Sequence, residues 1–382
     1  MSRIIEADLR DPRWTRRSRI YVPRGYMEGE VWTERGQWCD RRYFSMLVNS
    51  WRFGGGGPPE FDETYYLVTT AGAGGDGSIG SPWNTLEAAR AGIIALHASF
   101  VTSTVNPGLI CSGVADDATV TTNTWPTSSV TYYLTATTPA ADRKAQWDAN
   151  VYTYARSAAG TAALSIGTNS LRLRGLQVYQ LSSASNPWTF LLASLGGELV
   201  MDGMKLRGLG GANSVSFRTT NPTGRIVLRN SLFFDSVNGI VCGTGTAMPA
   251  GTEVDIYNCT VIGLTSSGGE ACWLNWAAGG AGKIARIKNL ISKFILNGVT
   301  TTNENTEDLA TNHHSTAGVG AAGVIFVDPG AADFRLVSGS SDYLDLGTDL
   351  SGVADFPFSD DASLYTRPYN GAWDRGFHEY RP

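Results

Sequence analysis

Between Leu171 and Ser292, apolar and polar residues alternate on either side of a Gly or Asn, and the phrase returns five times at a spacing of about 28 residues. The pivots are Gly175, Gly203, Asn230, Asn258 and Asn289. With each pivot as zero, positions −4, −2, +1 and +3 read Leu171, Leu173, Leu176, Val178; Leu199, Met201, Met204, Leu206; Ile226, Leu228, Ser231, Phe233; Val254, Ile256, Cys259, Val261; and Ala285, Ile287, Leu290, Ser292. Eighteen of these twenty are apolar, so one side of every copy needs a cover that the copy alone cannot provide. Alternation at period two around a residue that tolerates left-handed backbone predicts two short strands bent at the pivot. The residues just before the pivots, Arg174, Asp202, Arg229, Tyr257 and Lys288, are polar or amphipathic and are expected to face outward.

Stacked in register at about 4.8 Å per coil, successive copies would cover one another and enclose a continuous apolar interior. The fold class this predicts is all-β, a single-stranded parallel β-helix. The pivots Gly175, Gly203, Asn230, Asn258 and Asn289 become a structural column, the three Asn amides bonding from coil to coil as an internal ladder. Helical repeats are excluded by Val, Ile, Thr and Gly where helices want Ala, Leu, Glu and Lys. A βαβ repeat is excluded because 182–198 and 219–224 hold no intervening helix pattern.

Around this centre the chain changes character. Tyr65, Tyr66, Leu67 and Val68 read as a strand, followed by a Gly-rich turn over 71–80. A helix is predicted next, with Pro82 in its first turn, Asn84 and Glu87 as a capping box, and a stripe of Leu86, Ala89, Ile93, Ile94 and Leu96. Such a helix would plug the open first coil, whose free strand edge would otherwise template aggregation. Residues 105–170 look like less regular early coils, with a loop or short helix at 139–150. The pattern loosens from 300 to 319, segments 328–336 and 343–347 are expected to close the far end, and 373–380 to form a final strand. The predicted divisions are 1–60, an N-terminal arm; 61–104, the cap; 105–335, the coils; and 336–382, the closing segment.

The arm is distinct in composition. It holds eleven Arg, no Lys and four Trp, carries a net charge of +3 against −8 for the remainder, and ends in Gly54-Gly55-Gly56-Gly57-Pro58-Pro59. Arg and Trp lose little rotamer freedom per contact and stack well, so this is the composition of a contact surface. Trp14, Arg16, Arg17, Trp32, Trp38, Arg41, Arg42 and Trp51 are its expected anchoring residues. The whole chain, at net charge −5 over 382 residues, does not suggest a nucleic-acid surface. No apolar run reaches membrane-spanning length, and the opening MSRIIEADLRDPRW lacks a signal-peptide core, so synthesis in the cytoplasm is expected. Five scattered Cys without a CxxC predict neither a disulfide framework nor a zinc site, and no metal or cofactor is expected.

Both ends of the β-helix region carry a family resemblance. The stretch YYLVTTAGAGGDGSIGSPWNTLEAA resembles the opening of the right-handed parallel β-helix superfamily related to pectate lyases: a strand, a Gly/Asp turn, then a helix with Pro, an aromatic, Thr and Leu at its start. DFRLVSGSSDYLDLG followed by RPYNGAWDRGFHEY resembles its usual close, although Trp373, Arg375 and Phe377-His378 replace the commoner residues. The likeness runs from about Tyr65 to Tyr380 and implies a right-handed solenoid. It does not imply one function, because the superfamily includes lyases, hydrolases, epimerases, adhesins and phage tailspikes.

Chemistry on such a scaffold needs charge clusters. Lyases on this fold use a basic residue, often beside an acidic calcium site; hydrolases need carboxylates within about 10 Å of each other. Outward repeat positions offer Asp202 and Asp255, and the loosened coil offers His313-His314; Asp202, Asp255 and His313 are therefore the catalytic candidates. Asp255 and Arg286 share one repeat position on neighbouring coils and are expected to form a surface ion pair. Asp116-Asp117 and Asp360-Asp361 fall in loops without a basic partner in sequence, and His97 and His378 read as structural. Glu270, Trp273 and Trp276, in a Gly-rich stretch, are candidates for stacking on sugar rings.

The favoured reading is a structural component of a phage or phage-like virion: a rigid decoration or tail appendage whose arm binds other virion proteins, with a host-surface polysaccharide as a further contact. It would be a homo-oligomer, a trimer by resemblance, with lateral contacts over outward apolar residues such as Leu232 and Ile291, and would reside in the virion. The alternative is a carbohydrate-active enzyme, a polysaccharide lyase or glycoside hydrolase, extracellular or acting as a tailspike. A surface adhesin would require an export signal.

Overall fold

The structure is a computed structural model. It describes residues 19–23, 26–27, 30–31 and 36–40 of the N-terminal region, and 61–382 except 117–124, 157–161, 183–186, 210–213, 244–246, 250, 263–271, 276–283, 293–295, 298–305, 308–312, 315–325, 341–342, 353–357 and 370–371. The chain divides into two units, Met1–Asp62 and Glu63–Pro382. In the first, Arg19–Pro23 pairs antiparallel with Gly36–Asp40, and Tyr26–Met27 with Glu30–Val31.

The second unit is a parallel β-helix, carried by its strand pairing. A 13-stranded and an 8-stranded sheet contain only parallel pairs, and each strand bonds to the equivalent strand one coil away. The coil has three walls. The first runs through the opening half of Ala162–Arg174, then Trp188, Val215–Pro222, Asn238–Cys242 and Cys272–Leu274. The second begins at Glu63–Val68 and Pro107–Ser112 and continues through Leu134–Thr137, Leu171, Leu199, Arg225–Arg229, Glu253–Tyr257 and Ile284–Lys288. The third, past the pivot, carries Gln177–Gln180, Lys205–Arg207, Leu232–Phe234, Thr260–Ile262 and Ile291–Ser292. This topology is consistent with the right-handed solenoid that the resemblance implied.

The repeat read from sequence is the repeat that stacks. Leu171, Leu199, Ile226, Val254 and Ala285 are successive register partners. Of the twenty inward positions none is more than 5% exposed, so the interior is continuous and dry. All five pivots have positive φ, from 48° at Asn230 to 67° at Gly175, which bends the chain from second wall to third. The Asn ladder is interrupted, however. Asn289 Nδ2 donates to Asn258 Oδ1 at 2.7 Å, whereas Asn230 Nδ2 turns to Asp202 Oδ1 at 3.2 Å. Asn258 Nδ2 and Asn230 Oδ1, donor and acceptor on adjoining coils, are buried without a hydrogen-bond partner. The carboxylate of Asp202 has claimed the amide that would have continued the ladder.

The cap helix spans Leu86–Leu96: its N-cap is Thr85, whose hydroxyl accepts from Ala88 N, rather than Asn84, and Pro82 lies before the helix instead of in its first turn. Glu87 pairs with Arg90 instead of closing a capping box, and Leu96 points to solvent. Leu86, Ala89 and Ile93 join Leu67 and Leu109 in the apolar core of the coils, as a plug requires. Gly92 permits this fit, because a Cβ there would meet Trp83 at 2.2 Å.

The C-terminal region departs most from expectation. Phe326–Asp328 and Asp333–Leu336 form an antiparallel hairpin that packs beside the coils rather than across their end. Phe334 lies 5.4 Å from Phe234, and the hairpin shares a core with Leu232, Ile262, Ile291 and Phe377. Leu232 and Ile291, expected as exposed contacts for a trimer, are thus 0% and 2% exposed under the chain's own C-terminus. Residues 373–380 are irregular rather than a strand, with Trp373 making a single bridge to Gly347. Trp373, Phe358 and Leu350 close over Tyr257 of the second wall. The described residues of 343–382 therefore act as a strap along the corner between second and third walls.

Candidate functional site

That strap changes what the outward column before the pivots can do. Arg174, Asp202, Arg229, Tyr257 and Lys288 are register neighbours, one per coil. They project from the coil as the alternation requires, yet Asp202, Arg229 and Tyr257 are 7%, 9% and 2% exposed, because the strap covers them. Arg229 Nη2 donates to Asp202 Oδ2 at 2.9 Å, and the Phe358 ring lies over the Arg229 guanidinium, 4.9 Å to its centroid. From the loop at 139–150 comes Arg143, which reaches Thr137 Oγ1 and the same corner. From the strap comes Asp360. The pair flagged in sequence as lacking a basic partner thus acquires one: Asp360 faces Arg229, and Asp361 accepts backbone N–H from Ser363, Tyr365 and Glu379. Asp116 is likewise buried, accepting from Leu86 N and Tyr152 Oη.

The two carboxylates at the corner are driven apart. Burial alone would push Asp202 up, but Arg229, then Arg174 and Arg143, more than offset it and hold the carboxyl below its usual range. Burial, and then the Asp202 charge, raise Asp360 to about 6. Arg143 and Arg174 are both lowered by burial.

On the second wall, Asp255 is fully buried between two guanidiniums. Arg225 Nη2 reaches Oδ2 at 2.7 Å, Arg286 Nη1 reaches Oδ1 at 2.8 Å, and Tyr257 Oη donates to Oδ1 at 3.2 Å. Glu253 takes a second contact from Arg286 at 3.1 Å. The Asp255–Arg286 pair exists, but as part of a four-charge lattice in which Asp255 is buried while Arg225, Glu253 and Arg286 stay partly exposed. Among the described residues no cluster of His, Cys, Asp or Glu could hold a metal ion.

On the first wall, Leu191, Arg218, Val241 and Trp273 are register neighbours down one outward column. Arg218 stacks on Trp188 at 3.9 Å, and Trp273 is half-buried. Glu270 and Trp276 lie outside the described residues. His313-His314 is a short strand beside Ile291-Ser292. Trp38 sits on Gly36–Asp40 in register with Tyr21, while Trp14, Arg16, Arg17, Trp32, Arg41, Arg42 and Trp51 lie outside the described residues. His97 bonds Glu63 at 2.9 Å and Tyr65 Oη at 3.1 Å in the cap, and burial lowers His378 to about 4 in the strap.

Sequence reasoning missed the burial of Lys205. This residue occupies the outward +2 column between Gln177 and Leu232, is 1% exposed, and is lowered to about 7 by burial, with Asp148 only partly offsetting this. Gln177 staples the overlying loop, accepting from Asp148 N at 3.0 Å and donating to Asp148 O at 2.7 Å. The only sequence signal was a Lys at a position that is Gln, Leu, Thr and Ile in the other copies.

No family model matches the chain, and no curated protein matches it. Among solved structures it is similar to the crystal structure of pectate lyase Pel9A, at 14% identity over 84% of this chain and 97% of that one, with a TM-score of 0.37.

Proposed function

We propose that this chain is a structural β-helical appendage of a phage or phage-like particle, attached through residues 1–60, and not an enzyme that cleaves polysaccharide. The observation that carries this reading is the state of the candidate acids. Asp255 is fully buried between Arg225 and Arg286, and Asp202 is held by Arg229 and Asn230 beneath the strap. A carboxylate whose oxygens are already taken by fixed guanidiniums is a poor base or nucleophile. The same contacts bind coil to coil, which is what a rigid spacer needs. The Arg/Trp composition of the arm supports attachment to other particle proteins. Any trimer would have to use surfaces other than the strapped corner, since the outward residues Leu232 and Ile291 are already covered.

The test is to sediment untagged native protein and locate it by peptide mass spectrometry. Co-migration with megadalton particles, lost on deletion of residues 1–60, is the expected result. Recovery only in small soluble fractions would rule the reading out.

One observation favours the alternative, a polysaccharide lyase or glycoside hydrolase. The Asp202–Asp360 pair combines a carboxyl held low with one raised to about 6, the split that acid–base catalysis uses. Cleavage of any acidic or neutral polysaccharide that Asp360→Asn abolishes would establish it.

A further inference from the structure

The loop at 139–150 is an insertion at one corner of the solenoid. Thr137 and Arg174 are register partners on the second wall, and Thr153 and Gln177 are partners on the third. The later coil crosses between them with Gly175 and Leu176 alone, whereas the earlier one carries residues 138–152. This surplus folds back over the outward column of the third wall. Gln177 clasps the Asp148 backbone from both sides, and Trp147 lies edge-on to Tyr179 at 5.8 Å and to Phe234 at 5.7 Å. Trp147 N also donates to Ala332 O of the hairpin at 3.3 Å. Both ends of the loop run into paired strands, Leu134–Thr137 and Thr153–Arg156. A segment anchored at its ends and held near its tip by a few contacts opens as a unit more readily than the coils beneath it.

Beneath the loop lies Lys205, which follows Gln177 in that column and is 1% exposed. Asp148, the carboxylate that acts on it, is committed inside the loop. Its Oδ2 accepts from Lys144 Nζ at 2.5 Å, and its Oδ1 accepts from Asn150 N at 2.9 Å and Asn150 Nδ2 at 3.1 Å. Lys144 adds a repulsion, and Asp142, farther along the loop, acts on Lys144. The neighbouring elements have their own pairings. Gln177 and Leu232 flank Lys205 along the column; Arg207 on its strand holds Asp235 at 2.9 Å; on the hairpin Arg335 holds Asp333 at 2.6 Å and Asp328 accepts from Ala331 N. An ammonium under cover, with its nearby carboxylate engaged elsewhere, is costly. The cost is relieved by losing the proton or by lifting the cover.

We propose that loop 139–150 is a proton-operated flap, closed over the third wall while Lys205 is neutral and opened more as Lys205 takes up a proton, which uncovers Gln177 and Lys205. The sign follows from the protons each state binds. Open, the amine meets water and keeps its proton up to about 10.5; closed, it keeps it only up to about 7. Between those values opening takes up a proton, so falling pH favours it by up to about tenfold per pH unit. Below 7 both states are protonated and the dependence stops.

The experiment is hydrogen–deuterium exchange of the full chain from pH 9 to pH 6, read by peptide mass spectrometry, with every rate divided by its intrinsic rate at that pH. Protection of the Trp147 and Asp148 amides should fall by about 10- to 100-fold from pH 9 to pH 7 and then level off. The strand Arg225–Arg229, on the second wall, should keep its protection throughout. Lys205→Met should leave the flap protected and remove its slope with pH. Gln177→Leu keeps the lysine and removes the clasp, so it should lower protection of the flap at every pH. Equal protection of the flap at pH 9 and pH 7, or the same slope in Lys205→Met, would overturn the proposal. So would a second-wall strand that follows the flap, since the opening would then be global, or a flap as protected in Gln177→Leu as in the unaltered chain.

Discussion

Asn289 holds the backbone of Thr348 from both sides: its Nδ2 donates to Thr348 O at 2.8 Å, and Thr348 N donates to its Oδ1 at 2.8 Å. One pivot amide therefore ends the internal ladder and docks the strap, with Gly376 N adding a bond to Asn289 O at 2.7 Å. Asn289→Leu should cost about 1–3 kcal/mol, from lost bonds to a buried amide. It should also open the last forty residues to limited proteolysis before the coils unfold. A digestion pattern unchanged from the native chain would mean that the strap docks without this residue.

Asn258 tests the pivot itself. Its φ is 49° and its Oδ1 accepts from Asn289, so Asn258→Leu combines left-handed strain with a lost rung and should destabilise by about 1–3 kcal/mol. Asn258→Gly retains the backbone freedom and should lose less. Chemical denaturation that ranked Gly no better than Leu would remove the conformational part of the argument.

Lys205 is a liability at neutral pH. Its amine falls from 10.5 in the open chain to about 7 when folded, so the unfolded chain binds more protons between those values. The penalty is in full force below about 7 and fades as pH rises toward 10.5. Lys205→Met should therefore stabilise by about 1–4 kcal/mol at pH 7, with the gain shrinking steadily up to pH 10. A Tm difference that did not vary with pH would show that the amine stays charged in the fold.

Asp360 acts with the opposite slope. A carboxyl at 3.8 when unfolded and about 6 in the strap favours the folded state as pH falls from 6 to 3.8, and that contribution is lost as pH rises through 6. Relative to Asp360→Asn, the native chain should lose stability between pH 4 and pH 7. Since His378 works against it in part of that window, burial having lowered it to about 4, the difference between the two chains is the quantity to measure. Parallel stability curves would sink the assignment.

The coils were legible because their information is local. Period-two alternation places Leu171, Leu173, Leu176 and Val178 on one side of the chain whatever lies beyond, and a Gly or Asn at the bend meets a demand of its own backbone. Burial of Leu199 under Leu171 then follows from repetition, since every copy has the same unmet need. The ladder was legible only in part: alternation could place Asn230 and Asn258 in one column, but a carboxylate from the neighbouring coil decided which way the first amide turned.

The other face of each strand was not legible, because outward means only away from the coil. Whether Asp202, Lys205, Leu232 and Ile291 meet water depends on where segments distant in the chain, the 139–150 loop and the C-terminal region, come to rest. The bond from Phe377 N to Thr260 Oγ1 spans 117 positions and leaves no periodic trace in the sequence. The sequence by itself determined a solenoid with a capped start and an apolar interior. Only the tertiary structure decided that its polar corner is roofed, that Asp202 and Asp360 meet among three arginines, and that Lys205 is buried with its amine lowered to about 7. The physical reason is that local alternation sets which way a side chain points, while burial and charge depend on what arrives from far along the chain to cover it.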